Sequence, residues 1–109
     1  MKTERENHLV LVKGHAGFAG KGLDIVCSAV SALVFTYLNS LRELLSLEPV
    51  VVEGKKNNSL SITMPQADLS EAERLKADLL FDSLILGLRE IGRNYGDYLR
   101  IIEGGSNGS

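Results

Sequence analysis

A chain of 109 residues with 44% apolar and 24% charged side chains is long enough for one domain with its own core and too apolar to be disordered. A formal charge of -2 offers no broad positive field for a phosphate backbone, which argues against direct nucleic-acid binding as its task. One cysteine excludes an internal disulfide framework and leaves a lone thiol to be weighed as a nucleophile in a reducing compartment.

Met1 to Asn7 is charged and lacks the apolar core of a secretory signal. Leu9 to Val12 is an apolar run of strand formers that stops at Gly14. Gly14 to Gly22 holds four glycines in nine residues, a composition that predicts a loop. From Asp24 to about Leu47 the pattern predicts a helix, closed by Pro49. Its apolar positions Val26, Val30, Leu33, Val34, Tyr37, Leu38, Leu41, Leu44 and Leu45 make a stripe too wide for one contact, so the helix should be covered on two sides. The most apolar part, Ile25 to Leu38, is interrupted by Ser28, Ser31 and Thr36 and reads as too short to span a bilayer. A cytoplasmic protein with no membrane partner is expected.

Val50 to Val52 and Ser59 to Met64 read as strands of a hairpin around the turn formers Gly54 to Asn58. Ser70-Glu71-Ala72-Glu73 is a capping-box pattern, which predicts a second long helix to about Tyr95. Its core face is expected at Leu75, Leu79, Leu84, Leu88 and Ile91. Tyr98 to Ile102 reads as a last strand. The expected architecture is α+β, with two long helices packed on one face of a mostly antiparallel sheet of about four strands. Residues 1–103 form a single domain in this reading, and 104–109 a small, polar, disordered tail.

Cys27 is the sharpest chemical feature. With Asp24 as N-cap it falls at the third helical position, where unpaired N–H groups favour a thiolate and can hold an oxyanion. The plain alternative is a small buried hydrophobe. His15 lies twelve residues earlier, in the glycine-rich loop, where an imidazole can take a thiol proton and return it to a leaving amine. It can equally be an exposed loop histidine. Asp24 has two open roles, N-cap or orienter of His15. Ser28 and Ser31 are small neighbours of Cys27 that either pack closely or support it by hydrogen bonding. His8, at the strand's polar start, is expected to be solvated and to have no role.

The loop fails as a phosphate-binding loop, because Lys21 is preceded six positions earlier by His15 and followed by Gly22. Gly14, Gly17, Gly20 and Gly22 are better read as hinges that let a segment move over a peptide, with Phe18 against an apolar substrate or plugged into the core. One Cys and two His do not make a closed zinc site, so no metal or cofactor is expected.

Gly14-His15-Ala16-Gly17, then Gly22, then Asp24 to Leu33 around Cys27, strongly resembles the ribosomal-processing cysteine protease family, Prp. The resemblance continues in Leu86-Gly87-Leu88 and Tyr95-Gly96-Asp97-Tyr98 and covers nearly the whole chain from about residue 9. It implies Cys27 as nucleophile, His15 as general base and Asp24 at the family's Asp. It also implies a small α+β homodimer that removes a short apolar N-terminal extension from a large-subunit ribosomal protein precursor. Family members usually begin with an extra apolar strand. Here Met1 to Asn7 is short and charged, so that strand is expected to be lost or weakly paired. The rival reading is a non-catalytic ribosome-assembly or peptide-binding module on the same fold. A thiol redox sensor would need a resolving partner that the chain lacks.

Overall fold

A computed structural model of the chain describes residues 2–4, 8–12, 21–54, 59–95 and 102–104, with backbone alone at 21–24 and 102–104. The elements run β1 (Lys2–Glu4), β2 (Leu9–Val12), α1 (Lys21–Leu45), β3 (Val50–Gly54), β4 (Ser59–Thr63), α2 (Glu71–Asn94) and β5 (Ile102–Gly104). The strands form one sheet in the order β3-β4-β2-β1-β5. β1 to β4 are antiparallel to their neighbours, and β5 joins β1 in parallel. The α+β class with two long helices and a mostly antiparallel sheet is what the sequence predicted.

Two strand expectations change. The charged N-terminus is not lost from the sheet: β1 pairs with β2 on one side and β5 on the other. Alternation explains it, since Lys2 and Glu4 share one face and pair at 3.1 Å, while Thr3 points the other way and is buried. β5 is described over Ile102–Gly104, and residues 98–101 of the expected last strand lie outside the described residues. Gly104, assigned to the tail, is therefore part of the sheet. Residues 105–109 lie outside the described residues.

The inner face of the sheet follows from register. Val51 stands opposite Ile62, Ile62 opposite Val10, and Val10 opposite Thr3, giving one row across four strands. Val10, Ile62 and Thr3 in that row are buried. α1 joins them with Val26, Val30, Val34, Tyr37, Leu38 and Leu41, and α2 with Ala77, Phe81, Leu84, Ile85 and Leu88. By length and composition Ile25–Leu45 is long and apolar enough to cross a membrane, contrary to the expectation drawn from its shorter part. A long core helix meets the same criterion, and here its apolar row packs into the core shared with α2 and the sheet.

The helices run antiparallel. Leu33 meets α2 at Gly87, and Tyr37 meets Phe81 edge-on at 6.0 Å between ring centroids, so one number rises as the other falls. A Cβ at Gly87 would come within 2.8 Å of Leu33 Cδ1, so the missing side chain lets the helices close together. The expected face of α2 holds at Leu84 and Leu88, which are buried, and at Ile91, which packs against the core, but not in the first half, where Leu75 is 60% and Leu79 70% exposed. Ala77 and Phe81, half a turn away, face the core instead, because a small and a large residue there fit α1 and the sheet.

α2 starts as its sequence predicts. The Ser70 side chain accepts from the Glu73 N–H, and the Glu73 carboxylate accepts from the Ser70 N–H at 2.8 Å. Ser70→Ala should lower stability by about 1 kcal/mol, read as a shift in urea midpoint without a change in slope.

Candidate active site

β2 lies between β4 and β1, in the middle of the sheet, and its end leads through residues 13–20 into α1. Gly14, His15, Gly17, Phe18 and Gly20 all fall in that segment, outside the described residues. Gly22 and Asp24 belong to α1, where only their backbone is described. Chain connectivity tethers His15 three residues beyond β2 and Cys27 six residues beyond the start of α1.

Cys27 is partly exposed on α1, between the buried Val26 and Val30 and the exposed Ser28. Ser31, one turn on and on the same side, is also exposed. The local geometry corrects the expectation for this helix end. α1 begins at Lys21, not after an Asp24 cap, so Asp24 stands inside the helix and Cys27 is its seventh residue. A backbone N–H at that depth is spent on the carbonyl four residues earlier. The unpaired donors of the helix end belong to residues 21–24 instead. A glycine-rich stretch ahead of the helix blurred this boundary, because Lys21 and Gly22 carry no start signal of their own.

His8 is the residue that sequence reading misplaced. It is 1% exposed, not solvated, and stacks on Phe81 with centroids 4.8 Å apart. Its Nε2 lies 2.6 Å from Asp78 Oδ1, and its Nδ1 lies 2.9 Å from Gln66 Nε2. Asp78 is seventy residues away in the chain, so no local pattern could announce the pair. Beside it, burial and then the charge of Asp78 push the Tyr37 phenol above its ordinary range. With both ring nitrogens engaged and no access to solvent, His8 is unsuited to carry protons for a peptide substrate. Among the described residues, no group of three or more His, Cys, Asp or Glu is placed to hold a metal ion.

With this arrangement in place, likeness to known proteins decides the family. The family model described as cysteine protease Prp matches residues 1–100. The chain belongs to that family. The ribosomal processing cysteine protease Prp of Bacillus subtilis is 38% identical over 88 residues, covering 81% of this chain and 78% of the relative. The Prp of Staphylococcus aureus is 26% identical over 92 residues, covering 84% and 82%. Among solved structures, SMU.848 from Streptococcus mutans superposes with a TM-score of 0.78 at 23% identity, over 96% of this chain and 90% of that one. The S. aureus Prp crystallised in complex with a substrate peptide gives 0.76 at 21% identity, over 94% and 95%. These likenesses confirm the Prp fold, two helices on one sheet. The protein is a cysteine protease by family, and Cys27 is its one cysteine.

Proposed function

We propose that this chain is a cytoplasmic cysteine endopeptidase that removes a short apolar N-terminal extension from a large-subunit ribosomal protein precursor. The observation that carries the reading is the single cysteine, partly exposed on α1 of a Prp-family chain. The Cys27 Sγ attacks the scissile carbonyl, and His15 takes the thiol proton and delivers it to the leaving amine. Departure of that amine frees the new N-terminus of the ribosomal protein, and water then hydrolyses the thioester to release the cleaved extension from Cys27. Of the two histidines, His8 is buried and engaged, which supports His15 as the base. Asp24 precedes Cys27 by three helical positions, which keeps the role of orienting His15 open to it. Gly14, Gly17, Phe18, Gly20 and Gly22 are assigned to substrate contact in this reading, with Phe18 taking an apolar side chain, and Ser28 and Ser31 support Cys27.

The working form is a homodimer in this reading. Ile25 and Phe35 on α1 and Leu75, Leu79 and Leu86 on α2 are half or more exposed, which is much apolar surface for helices of a small monomer. The protein uses no cofactor and needs neither a membrane nor direct nucleic-acid contact.

The test is to mix the purified protein with the precursor ribosomal protein and follow product masses beside a Cys27→Ala control. One Cys27-dependent cut near the precursor's N-terminus is expected. Binding without a cut would replace the peptidase by a non-catalytic peptide-binding module on the same fold.

A further inference from the structure

Cys27 sits where the buried side of α1 gives way to its exposed side, with the buried Val30 and Val34 on one flank and the exposed Ser28 on the other. Residues four apart on a helix form one ridge, and the ridge that starts at Cys27 runs through Ser31 to Phe35. Ser31 is small and exposed. Phe35 is the first large side chain along that ridge, and it is 50% exposed. A helix turns about 100° per residue, so Phe35 lies roughly 200° round from Leu33, the residue that meets α2 at Gly87. The ring therefore faces away from α2, and the surface it shares is that of the nucleophile.

We propose that Phe35 is a specificity-determining residue, which receives an apolar side chain of the substrate three to four residues before the scissile bond. The inference rests on the peptidase reading above, in which the segment ahead of the cut is apolar. The position follows from two rises. The eight helical steps from Cys27 to Phe35 advance about 12 Å. An extended peptide advances about 3.3 Å per residue, so a chain laid along the ridge from Cys27 reaches the ring in three to four residues. A half-exposed phenylalanine offers apolar area and no hydrogen-bonding group, so it selects for apolar character and against charge. The ring is also too far from the scissile carbonyl to respond to the charge that develops there. It holds the ground state and the transition state equally, and so acts on KM rather than on kcat. A second copy of the chain is the other occupant that such a ring could have, and mass in solution tells the two apart.

The test is steady-state cleavage of the precursor ribosomal protein by the parent, Phe35→Ala and Phe35→Leu, with mass in solution measured beside it. Phe35→Ala should raise KM roughly tenfold at unchanged kcat, which is what burying the exposed half of a phenylalanine gives. Phe35→Leu should recover most of that loss. Precursors carrying Asp at one extension position at a time should suffer in the parent at the third or fourth residue before the cut. That penalty should shrink in Phe35→Ala, because the two changes remove the same contact. A parent-like KM for Phe35→Ala, or a loss that tracks dissociation of a dimer, would overturn the subsite while the peptidase reading stands. No Cys27-dependent cleavage by the parent would remove both.

Discussion

Cys27→Ala is expected to abolish cleavage, by roughly 10⁴-fold or more in single-turnover rate, while leaving the thermal midpoint within a few degrees of the parent. The rate loss follows from covalent chemistry: without Sγ there is no thioester, and water must attack the amide unaided. The small structural effect follows from place. Cys27 is partly exposed on a regular helix, so little buried surface is lost, and alanine is the best helix former. His15→Ala should cost a comparable factor, and the double variant little more than either single one, because in the proposed mechanism nucleophile and base act as a unit. Substantial cleavage by Cys27→Ala would remove Cys27 from the mechanism.

Leu88→Ala is expected to destabilise the chain by about 2–5 kcal/mol, a large part of the roughly 5–15 kcal/mol that holds a domain together. Leu88 is 0% exposed in the core shared by α2, α1 and the sheet, so truncation leaves a cavity whose walls belong to several elements. Leu86→Ala, two residues away, should stay within about 0.5 kcal/mol, since Leu86 is 65% exposed. Urea unfolding of both variants, at concentrations low enough to keep any dimer apart, separates the two positions. Equal losses would mean that α2 is rotated from the face described here.

The Leu86–Leu88 contrast marks where periodicity reaches its limit. α2 carries leucines at 75, 79, 80, 84, 86 and 88, enough to draw an apolar stripe along more than one face. Spacing from Leu75 selected a row whose first members are exposed. The row that packs runs through Ala77 and Phe81, and Ala77 is a residue that hydropathy barely weights. For α1 the denser pattern left less choice, and six of the nine residues assigned to its stripe are buried.

The candidate site was legible to a different degree. Cys27 as the one thiol, and the glycine-rich segment with His15 before it, are facts of sequence, and the Prp resemblance rested on them. The helix start was not, because Lys21 and Gly22 give no capping signal. His8 was the most hidden, since Asp78 and Gln66, which bond its ring nitrogens, lie more than fifty residues away.

The sequence by itself determined the elements whose signals are local: β2, the β3–β4 pair, the capping box of α2 and the wide stripe of α1. Tertiary structure alone decided that the charged N-terminus enters the sheet, that β5 lies parallel to β1, which face of the first half of α2 is buried, and that His8 is sealed against Asp78. The physical reason is the same in each case. Local signals depend on neighbours within a few residues, whereas strand partners, helix rotation and burial of a polar ring depend on groups that only folding brings together.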